Sequence, residues 1–223
     1  MSNLTILRTY AQTNPSKLPS SVLFSHTSSS LTIYDAFPKG IFHFLVLPRI
    51  QAPFSDAELS SLKTLLAGDK ARAQQLLTAL REDAAALRTE IEAEMLPATA
   101  SSGAHLHLHV LSNDLCSERM KVKKHYNSFH PTLGFFLDID EVLSWFDAEP
   151  SYYSAMAKLD KKRYEPMLKE DLTCWRCDTS IKNMPTLKAH LQEEWDKEVK
   201  REKAKIERQR QLEKKEHADK EVS

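Results

Sequence analysis

The sequence predicts an α+β protein: an antiparallel sheet with helices, followed by a small, separately folded cysteine–histidine module. Three observations lead there. Short runs of β-branched and aromatic residues, punctuated by turn residues, fill residues 22–47. A histidine–apolar alternation at His105–Val110 adds a further strand, and a Cys-x-x-Cys with a later histidine follows a change of composition near residue 149.

Val22–Phe24, Leu31–Tyr34 and Phe42–Leu47 read as strands, separated by Ser/Thr clusters and by Pro38-Lys39-Gly40. Ser55 with Glu58 forms a capping box, which predicts a helix through Leu66. Leu76, Leu77, Leu80, Leu87, Ile91 and Met95 fall on one side of a second helix that ends near Pro97. Thr99–Gly103 is a turn of small residues. Gly134–Asp138 reads as a short strand and Asp140–Phe146 as a helix.

The composition bounds what such a chain can be. Its 223 residues hold one ordinary domain plus a small module. With 31 basic and 31 acidic residues the net charge is +0, so anion binding has to rest on local patches. No apolar run approaches the roughly 18 residues of a membrane span. The segment Met1–Tyr10 lacks a basic start and apolar core, so no secretory leader is expected. Three cysteines cannot form a disulfide framework, and the Cys-x-x-Cys points to metal or redox chemistry. The expected organisation is a domain over 1–148, a polar linker over 149–171, a module over 172–198 and a charged tail, helical or disordered, over 199–223.

His105-Leu106-His107-Leu108-His109-Val110 is the most informative stretch. A strand sends alternate side chains to opposite faces, so the leucines and Val110 enter the core and the three histidines share one surface. Successive histidines then lie roughly 6.5 Å apart at Cα, close enough for one phosphate to touch two. Three readings fit that surface: a polar strand face, a three-histidine zinc site, or covalent catalysis at phosphorus with imidazole as nucleophile.

The pattern His-φ-His-φ-His-φ-φ, continued through Leu111, resembles the signature of the histidine-triad superfamily. So does the block Ile33-Tyr34-Asp35-Ala36-Phe37-Pro38-Lys39-Gly40 with His43-Phe44-Leu45-Val46-Leu47-Pro48-Arg49, which is similar to that superfamily's nucleotide-binding half. Lys123-Lys124-His125-Tyr126-Asn127-Ser128-Phe129 resembles the aprataxin branch in particular. The resemblance implies a nucleotide hydrolase domain. In it His107 is the nucleophile, His109 stabilises the phosphoryl oxygens, and His105 orients its neighbours. His43 backs the triad, and Ser102 contacts the α-phosphate. Asp35 would bind the ribose hydroxyls, with Ile33 near the adenine and Lys39 in the same nucleotide site. Asp35 has a plainer reading as the cap of the turn at Phe37-Pro38. The branch normally carries another histidine and a Pro-Ser-Met segment before the triad. Here Ala98 stands where that histidine is expected, which bears on protonation of the leaving group.

Cys174-x2-Cys177-x12-His190-x3-Glu194 has the spacing of a Cys2His2 finger with glutamate in the last slot. Ile181 and Leu187 fit its two core positions, and a helix starting near Pro185 puts His190 and Glu194 on one face. A redox Cys-x-x-Cys is the other reading, and His217 is a more distant fourth ligand. A zinc held by four protein ligands would be structural. Lys121, Lys123, Lys124 and His125, interleaved with Tyr126 and Phe129, form one candidate nucleic-acid patch; Lys182 and Lys188 form another.

Together these features lead to the expectation of a nuclear DNA-repair enzyme, monomeric on DNA and independent of membranes. It would release AMP from 5′-adenylated DNA ends or nicks. A general nucleoside phosphoramidate or dinucleotide hydrolase and a DNA-binding protein with a decayed triad are the alternatives.

Overall fold

The computed structural model describes residues 6–94 and 105–221. Ser102, Ala98, Met95, Pro97 and the expected turn Thr99–Gly103 lie outside them. The chain divides into two compact units, Met1–Glu170 and Asp171–Ser223.

The first unit is built on a four-stranded antiparallel sheet in the order β1 (Leu23–His26), β2 (Ser30–Tyr34), β3 (His43–Pro48), β4 (Leu108–Leu111). The β2–β3 register pairs Ile33 with Leu45, and the β3–β4 register pairs Leu45 with His109. Alternation therefore gives one face Leu31, Ile33, Leu45 and Leu47, which cluster with Leu7 of α1 (Ile6–Gln12). His43 and His109 continue that same face. The other face carries Phe44 and Val46, packed with Leu76, Leu77, Leu80 and Leu87 of α3 (Lys70–Glu94). Leu106 is buried in this second cluster, and Leu108 and Val110 pack against it, as the alternation requires.

Several local expectations are corrected. The Ser55–Glu58 box forms, with Ser55 N donating to Glu58 Oε2 at 2.8 Å, yet the helix does not run on. A 3₁₀ turn at Glu58–Ser60 stops, and α2 (Leu62–Leu66) restarts under a second box made by Ser61 and Thr64. Hydroxyls at Ser60, Ser61 and Thr64 bond to one another and to local backbone, which competes with a continuous helix. The expected strand Gly134–Asp138 is a bend: Gly134 has φ 87°, outside the extended region. The helix expected over Asp140–Phe146 is α5 (Ile139–Ser144) with a 3₁₀ turn after it.

The segment 149–171 is not a linker. It folds as α6 (Pro150–Met156), α7 (Lys161–Tyr164) and a 3₁₀ turn at Glu165–Lys169. Met156 is buried in the main core, and Tyr153 Oη donates to Leu66 O at 3.0 Å. Asn127 Nδ2, on α4 (Lys123–Phe129), donates to Met167 O and Glu170 O at 3.2 and 2.9 Å. A few apolar and amide groups anchor this charged stretch, and average polarity hides them.

In the second unit, a tight knuckle joins Thr173 to Ser180, with Asp178 N donating to Cys174 O at 2.8 Å. Asn183 caps the helix that follows, its Oδ1 accepting from Thr186 N at 2.9 Å. This helix, α8, spans Met184–Glu221, so the charged tail is its continuation. Among the described residues no helix is long and apolar enough to cross a membrane.

Candidate nucleotide site and metal centre

The rings of three histidines, His43, His107 and His109, meet at the end of the sheet. His43 and His109 are diagonal neighbours on adjacent strands, a spacing that long side chains bridge. His43 Nε2 and His109 Nδ1 are 2.8 Å apart, and His109 Nε2 lies 3.1 Å from His107 Nε2. His107 Nδ1 reaches the carbonyl of His105. The His105 ring points away and bonds Pro48 O at 3.0 Å. The regular strand starts only at Leu108. His105 thus orients His107 through its carbonyl, and its imidazole does not join the other rings on one surface.

This network fixes the tautomers. Burial pushes the His43 pKa down to about 3, and it holds His105, His107 and His109 below the usual histidine range, so all four rings are neutral at pH 7. The Lys39 backbone N–H donates to His43 Nδ1 at 3.1 Å. His43 must therefore carry its proton on Nε2, 3.5 Å from Asp35 Oδ2, and give it to His109 Nδ1. His109 then carries its proton on Nε2 and donates to His107. His107 donates from Nδ1 to the His105 carbonyl, which leaves its Nε2 unprotonated, with the lone pair accepting from His109 Nε2–H. The relay ends on an unprotonated nitrogen of the middle histidine, whose only partner in the relay is the neighbouring imidazole N–H. The same assignment counts against a metal on Asp35, His43 and His109, although their ligand atoms lie within 4.8 Å of one another. Coordination through His43 Nε2 would put a proton on Nδ1, facing the Lys39 N–H.

The pair His107–His109 opens onto a cleft of about 510 Å³. Asp35, Lys39 and His43 line it from the strand block, together with Arg119, Lys121 and His125. Lys39 Nζ donates to Arg119 O at 3.3 Å, and both cations lie over the Phe37 ring at 5.9 and 5.7 Å. Burial lowers the Lys39 pKa, while Asp35 opposes that shift. Burial raises Asp35, against the hydrogen bond from Phe37 N and the charge of Lys39. Asp35 does both things considered for it: Oδ1 caps the turn by accepting from Phe37 N at 2.6 Å, and the carboxylate also lines the cleft.

The 37–41 loop that carries Lys39 is tied down from below. Ile41 N donates to buried Asp114 at 3.0 Å, and Phe42 N to Ser112 Oγ at 3.0 Å. A Cβ on Gly40 would fall 2.6 Å from Ser112 O, so only glycine allows this approach.

Other expected residues sit elsewhere. Ile33 is fully buried in the Leu7 cluster, and its strand partner Leu45 lines the cleft instead. Tyr126 is fully buried, so it is unavailable to stack on a DNA end. Phe129 packs edge-on against His43 and His109, with centroids 5.5 and 5.2 Å apart. Lys123 and Lys124 do not line this cleft. Arg119 escaped the sequence reading because it lies in an irregular segment with no periodicity to mark it.

In the second unit, Cys174, Cys177 and His190 bring their ligand atoms within 4.8 Å of one another, with Cys177 Sγ 3.2 Å from His190 Nε2. Hydrogen bonds from Thr179, then His190, lower the Cys177 thiol to about 7, and burial raises Cys174. Two sulfurs and one imidazole converging in this way suit a tetrahedral zinc. Glu194 lies one turn beyond His190 on α8 and pairs with Lys197 at 2.6 Å, outside this group. Leu187 and Leu191 are buried and Ile181 half-buried; Lys182 is exposed and Lys188 half-buried.

Residues 16–115 match the HIT domain family, and residues 132–197 match the C2HE / C2H2 / C2HC zinc-binding finger. The aprataxin of Ciona intestinalis is 30% identical over 164 residues, covering 72% of this chain and 39% of that protein. The chain belongs to the aprataxin branch of the histidine-triad superfamily. The aprataxin of Gallus gallus is 30% identical over 175 residues, covering 75% of this chain and 49% of its own. The chain thus spans less than half the length of these aprataxins. The solved structure "Hnt3 in complex with DNA and guanosine" superposes with a TM-score of 0.61 at 23% identity, covering 88% of this chain and 97% of that one. The aprataxin orthologue Hnt3 from Schizosaccharomyces pombe gives 0.56 at 23% identity, over 80% of this chain and 87% of the other. The fold is shared with both.

Proposed function

We propose that the chain removes AMP from 5′-adenylated DNA ends and nicks. The observation that carries this reading is the relay from Lys39 N–H through His43 and His109, which leaves His107 Nε2 unprotonated at the lining of a cationic cleft. His107 Nε2 attacks the phosphorus of the AMP moiety. A P–N bond forms, the pyrophosphate P–O bond breaks, and 5′-phosphorylated DNA leaves. Water then attacks the adenylyl-histidine, the P–N bond breaks, and AMP is released. His109 Nε2–H turns from His107 to a phosphoryl oxygen and stabilises its developing charge. Lys39, Arg119 and Lys121 neutralise the diphosphate, and Asp35 accepts from the ribose hydroxyls. Ser102 adds a contact to the α-phosphate.

Cys174, Cys177, His190 and Glu194 would hold one zinc, Glu194 exchanging Lys197 for the metal. With four protein ligands it supplies no open position for chemistry and acts by folding the knuckle. Lys182 and Lys188 then meet DNA phosphates. The relative solved with DNA and guanosine supports a nucleic-acid partner. A repair role on DNA implies the nucleus and a monomer on its substrate.

The test is incubation with 5′-adenylated nicked DNA and, in parallel, an AMP–lysine phosphoramidate. Release of AMP from nicked DNA at low substrate concentration, abolished by His107→Ala in a protein with unchanged circular dichroism, is the expected result. Mass spectrometry should find AMP on the His107 peptide. Turnover of the phosphoramidate alone would identify a general hydrolase, and turnover of neither would leave a DNA-binding protein.

A further inference from the structure

A second groove lies on the same unit, apart from the histidine cleft. Its volume is about 720 Å³, within the roughly 300–1,000 Å³ of typical ligand sites. Its lining includes Phe135, Leu137, Leu159, Tyr164 and Leu168, with Lys124, Lys161 and Lys169 among its lysines. Lys124, Lys161 and Lys169 are exposed, and among the described residues Glu165 is the one acidic residue of the lining, so the groove is net cationic. Nothing in the chemistry at His107 uses it.

We propose that this groove binds one or two unpaired nucleotides of the nucleic-acid substrate. Three observations select that occupant. An apolar, aromatic lining suits the flat face of a base, and bases in a duplex have their faces stacked on each other and out of reach. Unpaired nucleotides offer both faces and phosphates together. The lysines match the phosphate charge. Continuity with the cleft is the third: α4 places Lys124 in the groove while the adjacent His125 and Phe129 line the histidine cleft. One short helix thus joins the two sites, so a strand bound at the cleft has a route to the groove. The inference rests on the nucleic-acid reading above, and it adds a preference for frayed or overhanging ends.

Binding of a short oligothymidylate to the full chain, followed by fluorescence anisotropy, requires no turnover and so tests the groove separately from the hydrolysis. The double variant Lys161→Ala, Lys169→Ala should shallow the salt slope by about 1.4, at roughly 0.7 per single-strand phosphate contact. Both substitutions are at exposed positions, which protects the fold. Tyr164→Leu, which keeps apolar bulk and loses the ring, should weaken binding about tenfold, the scale of one lost base–aromatic stack. A blunt duplex should bind all variants as it binds the parent. Oligothymidylate binding unchanged in the double variant overturns the proposal. Equal losses on blunt duplex overturn it too, as does displacement by a polyglutamate peptide at matched concentration. If AMP release fails while groove binding depends on Lys161 and Lys169, the hydrolytic reading falls and the groove stands.

Discussion

His43 gives its Nε2 proton to Nδ1 of His109 across 2.8 Å, linking two side chains 66 residues apart in the chain. The direction of that donation follows from the Lys39 backbone N–H, which occupies the other nitrogen of His43. His43→Ala should therefore act on chemistry: His109 loses the partner that fixes its tautomer, and the His107 lone pair is no longer assured. The expected loss in kcat is on the order of 100-fold, the scale of a mispositioned acid–base group, with KM nearly unchanged. Steady-state kinetics on an adenylated substrate decide it. A change confined to KM would assign His43 to binding.

Stability should fall as the solution is acidified, over a defined window. Burial depresses His43 to about 3 in the folded protein, and the unfolded chain titrates near the ordinary value of 6.5. Between these values the unfolded state binds more protons, so stability is complete above pH 6.5 and is lost as pH falls toward 3. The other buried triad histidines are shifted in the same direction and add to the slope. Each contributes at most about 1.4 kcal/mol per pH unit. Thermal unfolding at pH 4.5 and pH 7.5 should show a lower Tm in acid, and His43→Phe should narrow the gap. An undiminished gap in that variant would remove His43 from the linkage.

Asp35 combines a structural and a ligand-facing role, and two substitutions separate them. Asp35→Asn keeps an oxygen for the Phe37 N–H, so the turn should persist, while the charge beside the ribose hydroxyls is lost. AMP binding should weaken by roughly 1.5–3 kcal/mol with little change in Tm. Asp35→Ala should lose both affinity and stability. Calorimetric titration with AMP is the check, and full affinity in Asp35→Asn would reduce this residue to a turn cap.

For the finger, Cys174→Ala or Cys177→Ala should unfold the second unit's knuckle, because so short a segment buries little apolar surface without metal. Chelation of the parent protein should produce the same change by circular dichroism. Glu194→Gln should be milder, since water can take the fourth position. Hydrolysis of the AMP–lysine substrate should survive all three changes, and activity on nicked DNA should fall. Equal loss on both substrates would mean that zinc supports the active site itself.

The sequence by itself determined that Leu106, Leu108 and Val110 of the histidine stretch enter the core, although only His109 of its three histidines lies in the regular strand. It also gave the spacing of Cys174, Cys177 and His190. These are properties of a local period or a short separation, and the backbone geometry of a strand or knuckle converts them directly into position. The cleft's positive charge was partly legible, because Lys121 and His125 fall in the basic patch visible in the sequence and Arg119 does not. Only the tertiary structure decided the rest. Ile33 and Leu45 both look like strand residues beside a nucleotide site; they pair across the sheet and both are buried, and only Leu45, on the strand next to His109, borders the cleft. Tyr126 and Phe129 are three residues apart on one helix, yet packing buries the first in the protein and lays the second against the triad. The charged segment after residue 149 folds because single groups, Met156, Tyr153 and the Asn127 amide, find partners far along the chain. The tautomer of His107 follows the same rule: four hydrogen bonds fix it, and the one between His43 and His109 spans two strands, a pairing made only when the sheet closes.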